Sequence, residues 1–203
     1  MKKQVLILGA GGLGREVFHW AHDCGYEVLG LIDDNQNALE GYKGYAHILG
    51  GVDDIPLMAP IICGVGKSAV RRACVERLLV RGAEFVSCVH PLAKVLDGST
   101  FGRGAVIAPF AYVGADVNVG DFLFMQTGAV LGHDVAAGDF LRMDTTAFVG
   151  GFSQIGNDVT LYTGAKVMPG KTVGDHCTLG AGSVLLNNLY AGATAFGVPA
   201  QKI

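Results

Sequence analysis

From Val89 onward, every sixth residue is apolar. The series runs Val89, Val95, Phe101, Ile107, Val113, Val119, Met125, Leu131 and Ala137, then Met143, Val149, Ile155, Leu161, Val167, Val173, Leu179 and Leu185. In a chain that is 50% hydrophobic, chance yields such an unbroken run in roughly one of 10^5 trials. A second series sits four residues later and is small or β-branched, as at Ala105, Ala111, Val117, Ala129, Cys177 and Ser183, with Lys171 the exception. A period of six suits neither a helix nor a plain hairpin. It suits a short strand followed by a tight corner, three of which close a triangular coil of eighteen residues. Successive coils then stack as parallel strands about 4.8 Å apart. Both series point inward. Glycine follows the stepping residue at Gly102, Gly114, Gly120, Gly132 and Gly138 among others, and these glycines are expected to supply the corner backbone angles.

The first half reads differently. Lys3 to Leu8 is a buried strand, followed by Gly9-Ala10-Gly11-Gly12-Leu13-Gly14. An amphipathic helix is expected over 15–24 and a second strand over 27–32, ending in Asp33-Asp34. This is a G-x-G-x-x-G turn between strand and helix, with acids about twenty places on, and it favours close backbone approach to a phosphate at a helix N-terminus. A third strand at 60–63 runs into Gly64-Val65-Gly66-Lys67-Ser68, with a helix over 69–81 and a fourth strand near 84–88. The module ends by residue 88, too short for the usual dinucleotide domain, and only the coil follows it, which argues against a dehydrogenase. The spacing around Gly64 does not match a Walker loop. Two domains are expected, 1–88 and 89–203.

Charge and cysteine usage narrow the classes further. The net charge is −3, 16% of residues are charged, and no basic block of five appears, so nucleic acid is not an expected partner. No apolar run approaches the roughly 20 residues of a membrane span, and the stretch after Met1 is too short for a secretory leader. Five scattered cysteines without CxxC spacing fit reduced thiols and a cytoplasmic location.

Taken together, a short Rossmann-like module joined through Val89-His90-Pro91 to a six-residue repeat resembles the hexapeptide-repeat sugar acetyltransferases. That family includes enzymes of the bacillosamine pathway and sialic acid O-acetyltransferases. The resemblance implies an α/β Rossmann-like N-terminal module followed by a left-handed parallel β-helix, assembled as a homotrimer. It implies that the module holds a nucleotide sugar, through Gly11, Gly12, Leu13, Asp33, Asp34 and Gly66, while acetyl-CoA lies along the coil. Leu13 stands where the bacillosamine branch has histidine.

His133 follows the glycine after Leu131, so its side chain should leave the coil, and Asp134 beside it could orient the ring. Gly132-His133-Asp134 matches the family's catalytic histidine and acid, which makes His133 the expected general base. Gly151 lies eighteen residues on, one coil away on the same edge, as a candidate oxyanion donor. Thr163 and Ala181 match the family's coenzyme contacts and continue a ladder from Thr145. Arg142 stands where the family has a histidine contact to the coenzyme. The expected reaction is direct N-acetylation of a nucleotide-linked amino sugar without a metal. Alternatives are O-acetylation of sialic acid or another sugar hydroxyl, and a non-catalytic binding protein. A γ-class carbonic anhydrase is disfavoured because His133 and His176 are 43 residues apart, which is not a multiple of eighteen.

Overall fold

The computed structural model describes residues 2–203. The chain forms two compact units, one ending at His90 and the other beginning at Pro91. The first holds β1 (Lys3–Leu8), α1 (Gly12–Asp23), β2 (Tyr26–Ile32), β3 (Ile48–Gly50), β4 (Ile61–Cys63) and α2 (Ser68–Val80). The four strands are parallel, in the order β3-β2-β1-β4. A central parallel strand is covered on both faces, which explains the uninterrupted apolar run of β1; Val5 to Leu8 are all buried. Helix α1 buries Val17, Phe18, Trp20 and Ala21, a one-sided stripe. Among the described residues no helix is long and apolar enough to cross a membrane.

Three local expectations need correction. Strand β3 was not foreseen, because it is three residues long and only half-buried, with no alternation to reveal it. Helix α1 starts at Gly12 rather than residue 15, since its first turn is built from glycines that helix propensity disfavours. One of these is fixed by packing: a Cβ on Gly14 would lie 2.0 Å from the Gly9 carbonyl oxygen. The stretch 84–88 yields a single bridge, Phe85 to Ile61, and the two-residue strand Cys88–Val89.

Two contacts tie down the end of this unit. His90 Nε2 pairs with Asp23 Oδ2 at 3.0 Å. The sulfurs of Cys24 and Cys88 lie 3.4 Å apart. Their mutual hydrogen bond holds the Cys24 thiol below its ordinary value and pushes Cys88 far above it, with burial adding to the latter.

The second unit is a parallel β-helix with three sheets of two-residue rungs. One sheet stacks Asn118–Val119, Ala136–Ala137 and Gln154–Ile155. Another stacks Phe124–Met125, Arg142–Met143 and Thr160–Leu161. The last stacks Val130–Leu131, Phe148–Val149 and Lys166–Val167. Every one of these pairings is offset by eighteen residues, so each stepping side chain lies on an equivalent one and the interior is filled by apolar columns. From Ile107 to Leu185 all of them are buried except the half-buried Ala137. The offset falls to sixteen at the last coil, where Leu189 bridges Val173 and Thr194 pairs with Thr178. The chain then reverses through a cis Val198–Pro199 bond into an antiparallel hairpin, Thr194–Gly197 with Ala200–Lys202.

The corners are not made by the glycines that the repeat suggested. Left-handed backbone recurs every six residues from Gly98 to Gly182, and nine of those positions carry side chains, namely Phe110, Asp116, Phe122, Asp134, Phe140, Thr146, Phe152, Asp158 and His176. Each costs on the order of 1–2 kcal/mol relative to glycine, offset by the stacked rungs. The glycines after the stepping residues serve a different purpose. A Cβ on Gly156 would sit 2.6 Å from the Asp175 nitrogen, and one on Gly132 would sit 2.6 Å from the Gly151 nitrogen. They let one coil approach the next.

The two kinds of glycine should therefore respond differently to alanine. Gly156→Ala pushes a Cβ into backbone and should cost roughly 1–3 kcal/mol. Gly170→Ala meets nothing within 4 Å at φ +70° and should cost about 1 kcal/mol. Denaturant midpoints of the two variants will show whether close approach outweighs corner conformation.

Candidate functional site

In the first unit, the six residues singled out from sequence meet around one cavity of about 360 Å³. Gly11, Gly12, Leu13, Asp33, Asp34 and Gly66 all line it, together with apolar side chains such as Ile32, Val65 and Val70. The first turns of α1 and α2 both border this space, so two helix N-termini offer partial positive charge to an anion. Gly11 has ordinary extended backbone (φ −69°, ψ −171°). A Cβ there would meet nothing within 4 Å, and one on Gly12 would touch only the tip of Arg15. Neither packing nor backbone angle requires glycine at these two positions.

The carboxylates are held by backbone. Asp33 accepts from the N–H groups of Ala10 (2.8 Å) and Asn35 (2.9 Å). Asp34 accepts from Val52 N–H at 2.8 Å, and its other oxygen faces Arg77 at 3.5 Å. Cys74 lines the same cavity, and burial pushes its thiol up, so it stays neutral.

In the β-helix, the three corner columns differ in what satisfies their backbone. One carries Asp121, Asp139, Asn157 and Asp175, each accepting the N–H of the residue eighteen earlier at 2.7–3.0 Å. The glycine before each acceptor belongs to this arrangement: a Cβ on Gly120 would lie 2.2 Å from Asp139 Oδ1. A Gly-Asp or Gly-Asn pair every eighteen residues was visible in the sequence, but its meaning was missed.

His133 and Gly151 share a different column, with Ala115 and Pro169. His133 is exposed, and its Nδ1 lies 2.8 Å from Asp134 Oδ2. With the Nδ1 proton donated to that carboxylate, Nε2 carries the lone pair. A Cβ on Gly151 would come within 2.7 Å of both Cε1 and Nε2, so only glycine admits the ring there. The ring also meets Phe152 edge to face, centroids 4.9 Å apart at 85°. Such a pair is worth about 0.5–1.5 kcal/mol. Among the described residues, no group accepts from the Gly151 N–H. An imidazole thus packs against a residue whose amide donor is unused, and acyl transfer needs a proton acceptor and an oxyanion donor.

The third column stacks Thr145, Thr163 and Ala181, all exposed, with Thr145 and Thr163 carbonyls accepting from Gly164 and Gly182 at 3.0 and 2.9 Å. Arg142 lies on a strand three residues before Thr145. Its Nε and Nη2 are held by Asp144 at 2.7 and 3.0 Å, and its guanidinium lies over the Tyr162 ring. Cys177 points into the interior and donates to the Tyr190 carbonyl at 3.0 Å. Among the described residues, no cluster of three His, Cys, Asp or Glu is placed to hold a metal.

Both parts of the chain are similar to known proteins. Residues 4–78 match the PglD N-terminal domain, and residues 152–187 match the bacterial transferase hexapeptide (six repeats). UDP-N-acetylbacillosamine N-acetyltransferase of Bacillus subtilis is 30% identical over 112 residues, covering 52% of this chain and 51% of its own. The matches to curated relatives span from 24% to 56% of the relatives' length. Among solved structures, PerB from Caulobacter crescentus in complex with CoA and GDP-perosamine is 27% identical with a TM-score of 0.88, covering 98% of this chain and 97% of that one. The acetyltransferase domain of PglB from Neisseria gonorrhoeae, in complex with acetyl coenzyme A, is 27% identical with a TM-score of 0.87 over the whole of both chains.

The aspartate column should be a stability feature alone. Asp139→Ala strands the Asp121 N–H and should cost roughly 1–2 kcal/mol. Asp139→Asn should stay within about 0.5 kcal/mol, since Asn157 already does the same job one coil on. Urea midpoints of both variants test this.

Proposed function

We propose that this chain, a hexapeptide-repeat protein with a PglD N-terminal domain, transfers an acetyl group from acetyl-CoA to the amino group of a nucleotide-linked sugar. The observation that carries this reading is the His133–Asp134 pair beside the unused Gly151 amide. Support comes from the likeness to PerB bound to CoA and GDP-perosamine and to the PglB domain bound to acetyl coenzyme A.

In this mechanism His133 Nε2 takes a proton from the sugar's amine as its nitrogen attacks the thioester carbonyl. Asp134 holds the ring tautomer and stabilises the imidazolium that forms. The Gly151 N–H faces the oxyanion. Collapse of the tetrahedral species breaks the C–S bond, and the departing thiolate takes the proton from His133. Transfer is direct, since the buried Cys177 cannot serve as an acyl carrier.

Acetyl-CoA runs along the column of Thr145, Thr163 and Ala181, and Arg142 contributes from the adjoining strand with its guanidinium anchored by Asp144. The nucleotide occupies the cavity of the first unit. Its phosphates approach Gly11 and Gly12, Asp33 and Asp34 accept from hydroxyl or N–H groups, and Leu13 and Gly66 form the wall. The protein acts as a homotrimer. Tyr112, Val130 and Phe148 stand in line on the outside of one sheet, an apolar strip suited to a neighbouring copy.

Thiol release from acetyl-CoA, measured with UDP- and GDP-linked amino sugars and with their hydroxyl counterparts, tests the assignment. His133→Ala should lower kcat by roughly 10²–10⁴ with little change in coenzyme affinity; near-normal turnover would refute the role given to His133. Release only with hydroxyl acceptors would overturn the amine. Gly12→Ala should hold or raise stability by up to about 1 kcal/mol, as alanine does within a helix. It should weaken nucleotide binding about tenfold by crowding the phosphates. Calorimetry with UDP and GDP together with thermal melts would separate the two effects.

A further inference from the structure

We propose that Phe152 is a positioning residue for the His133 imidazole, an inference that rests on His133 being the general base. Phe152 occupies a left-handed corner at φ +60° and yet is 62% exposed. A bulky residue in that region is unfavourable, and an exposed ring recovers little by burial. Two other phenylalanines at such corners, Phe122 and Phe140, are buried and stack on each other at 4.8 Å. Phe152 does neither. Its ring is set edge to face against His133, and its N–H donates to the His133 carbonyl at 3.0 Å.

The contacts on His133 are therefore complementary. Asp134 fixes one ring nitrogen, the bare Gly151 leaves space beside the other, and Phe152 limits the swing of the ring. The imidazole is 58% exposed on its side chain, so Phe152 adds to the Asp134 bond in holding Nε2 in line with an incoming amine. Precise placement of a reacting group is itself a large part of catalysis.

This role separates activity from stability. Phe152→Gly relieves the corner, so the folding midpoint should hold or rise. Over the same substitution kcat should fall roughly two- to tenfold, the range that an aromatic contact supplies, with KM for acetyl-CoA and for the sugar changed less than twofold. Phe152→Tyr, which keeps the ring, should restore kcat. Phe110→Gly, at a corner of like backbone and exposure, should leave kcat unchanged.

An unchanged kcat in Phe152→Gly would overturn the proposal. So would a loss confined to KM, an equal loss in Phe110→Gly, or no rescue by tyrosine. If the wild-type protein transfers no acetyl group, the functional reading fails by itself. The positioning claim is then judged by NMR relaxation of the His133 ring, which should be more mobile in Phe152→Gly; equal mobility would sink it.

Discussion

The approach of one coil to the next, with backbone against backbone every eighteen residues, is the constraint on which the β-helix rests. It admits no Cβ at Gly132, Gly150 or Gly156, and it stacks like side chains into continuous columns. Corner angles are secondary. The fold accepts phenylalanine, threonine and aspartate in left-handed backbone, because the rungs on either side of each corner are already paired. Glycine is thus found at the close-approach positions even where the neighbouring corners carry side chains.

The same constraint gives each corner column its character. Where the coil spacing leaves an N–H without a partner, an Asp or Asn from the next coil can accept it, and one column is sealed in this way. In the column of His133 the corresponding positions are alanine, glycine and proline, which cannot. An unsatisfied donor is expensive inside a protein but useful at a reaction centre. One repeat can thus supply an edge whose N–H groups are accepted by side chains and an edge that leaves the Gly151 donor open, by changing a single residue per coil.

Much of this was legible in the sequence. The stepping series has a single physical cause, the interior of a three-sided column, so the rungs lay where the count placed them. The cavity of the first unit was legible too, since Gly11, Gly12 and Asp33-Asp34 carry a spacing that follows from strand, turn and helix. What escaped depended on neighbours one coil away. The purpose of the glycines before Asp121 and Asp139 becomes clear only once coils are stacked, as does the meeting of Phe152 with His133. Strand β3 escaped for a different reason: three residues, none of them buried, produce no periodicity. The shortening of the last coil at Leu189 began just where the apolar series stopped.

That shortening leads to the closing hairpin, where the outermost strand, Ala200–Lys202, runs against its neighbour. A parallel stack is open-ended by nature, and each exposed rung is a template for another. A strand of reversed polarity spoils that template, because an incoming coil would find the wrong pattern of donors and acceptors. The hairpin therefore leaves on this side of its sheet a strand whose polarity a further parallel rung does not match.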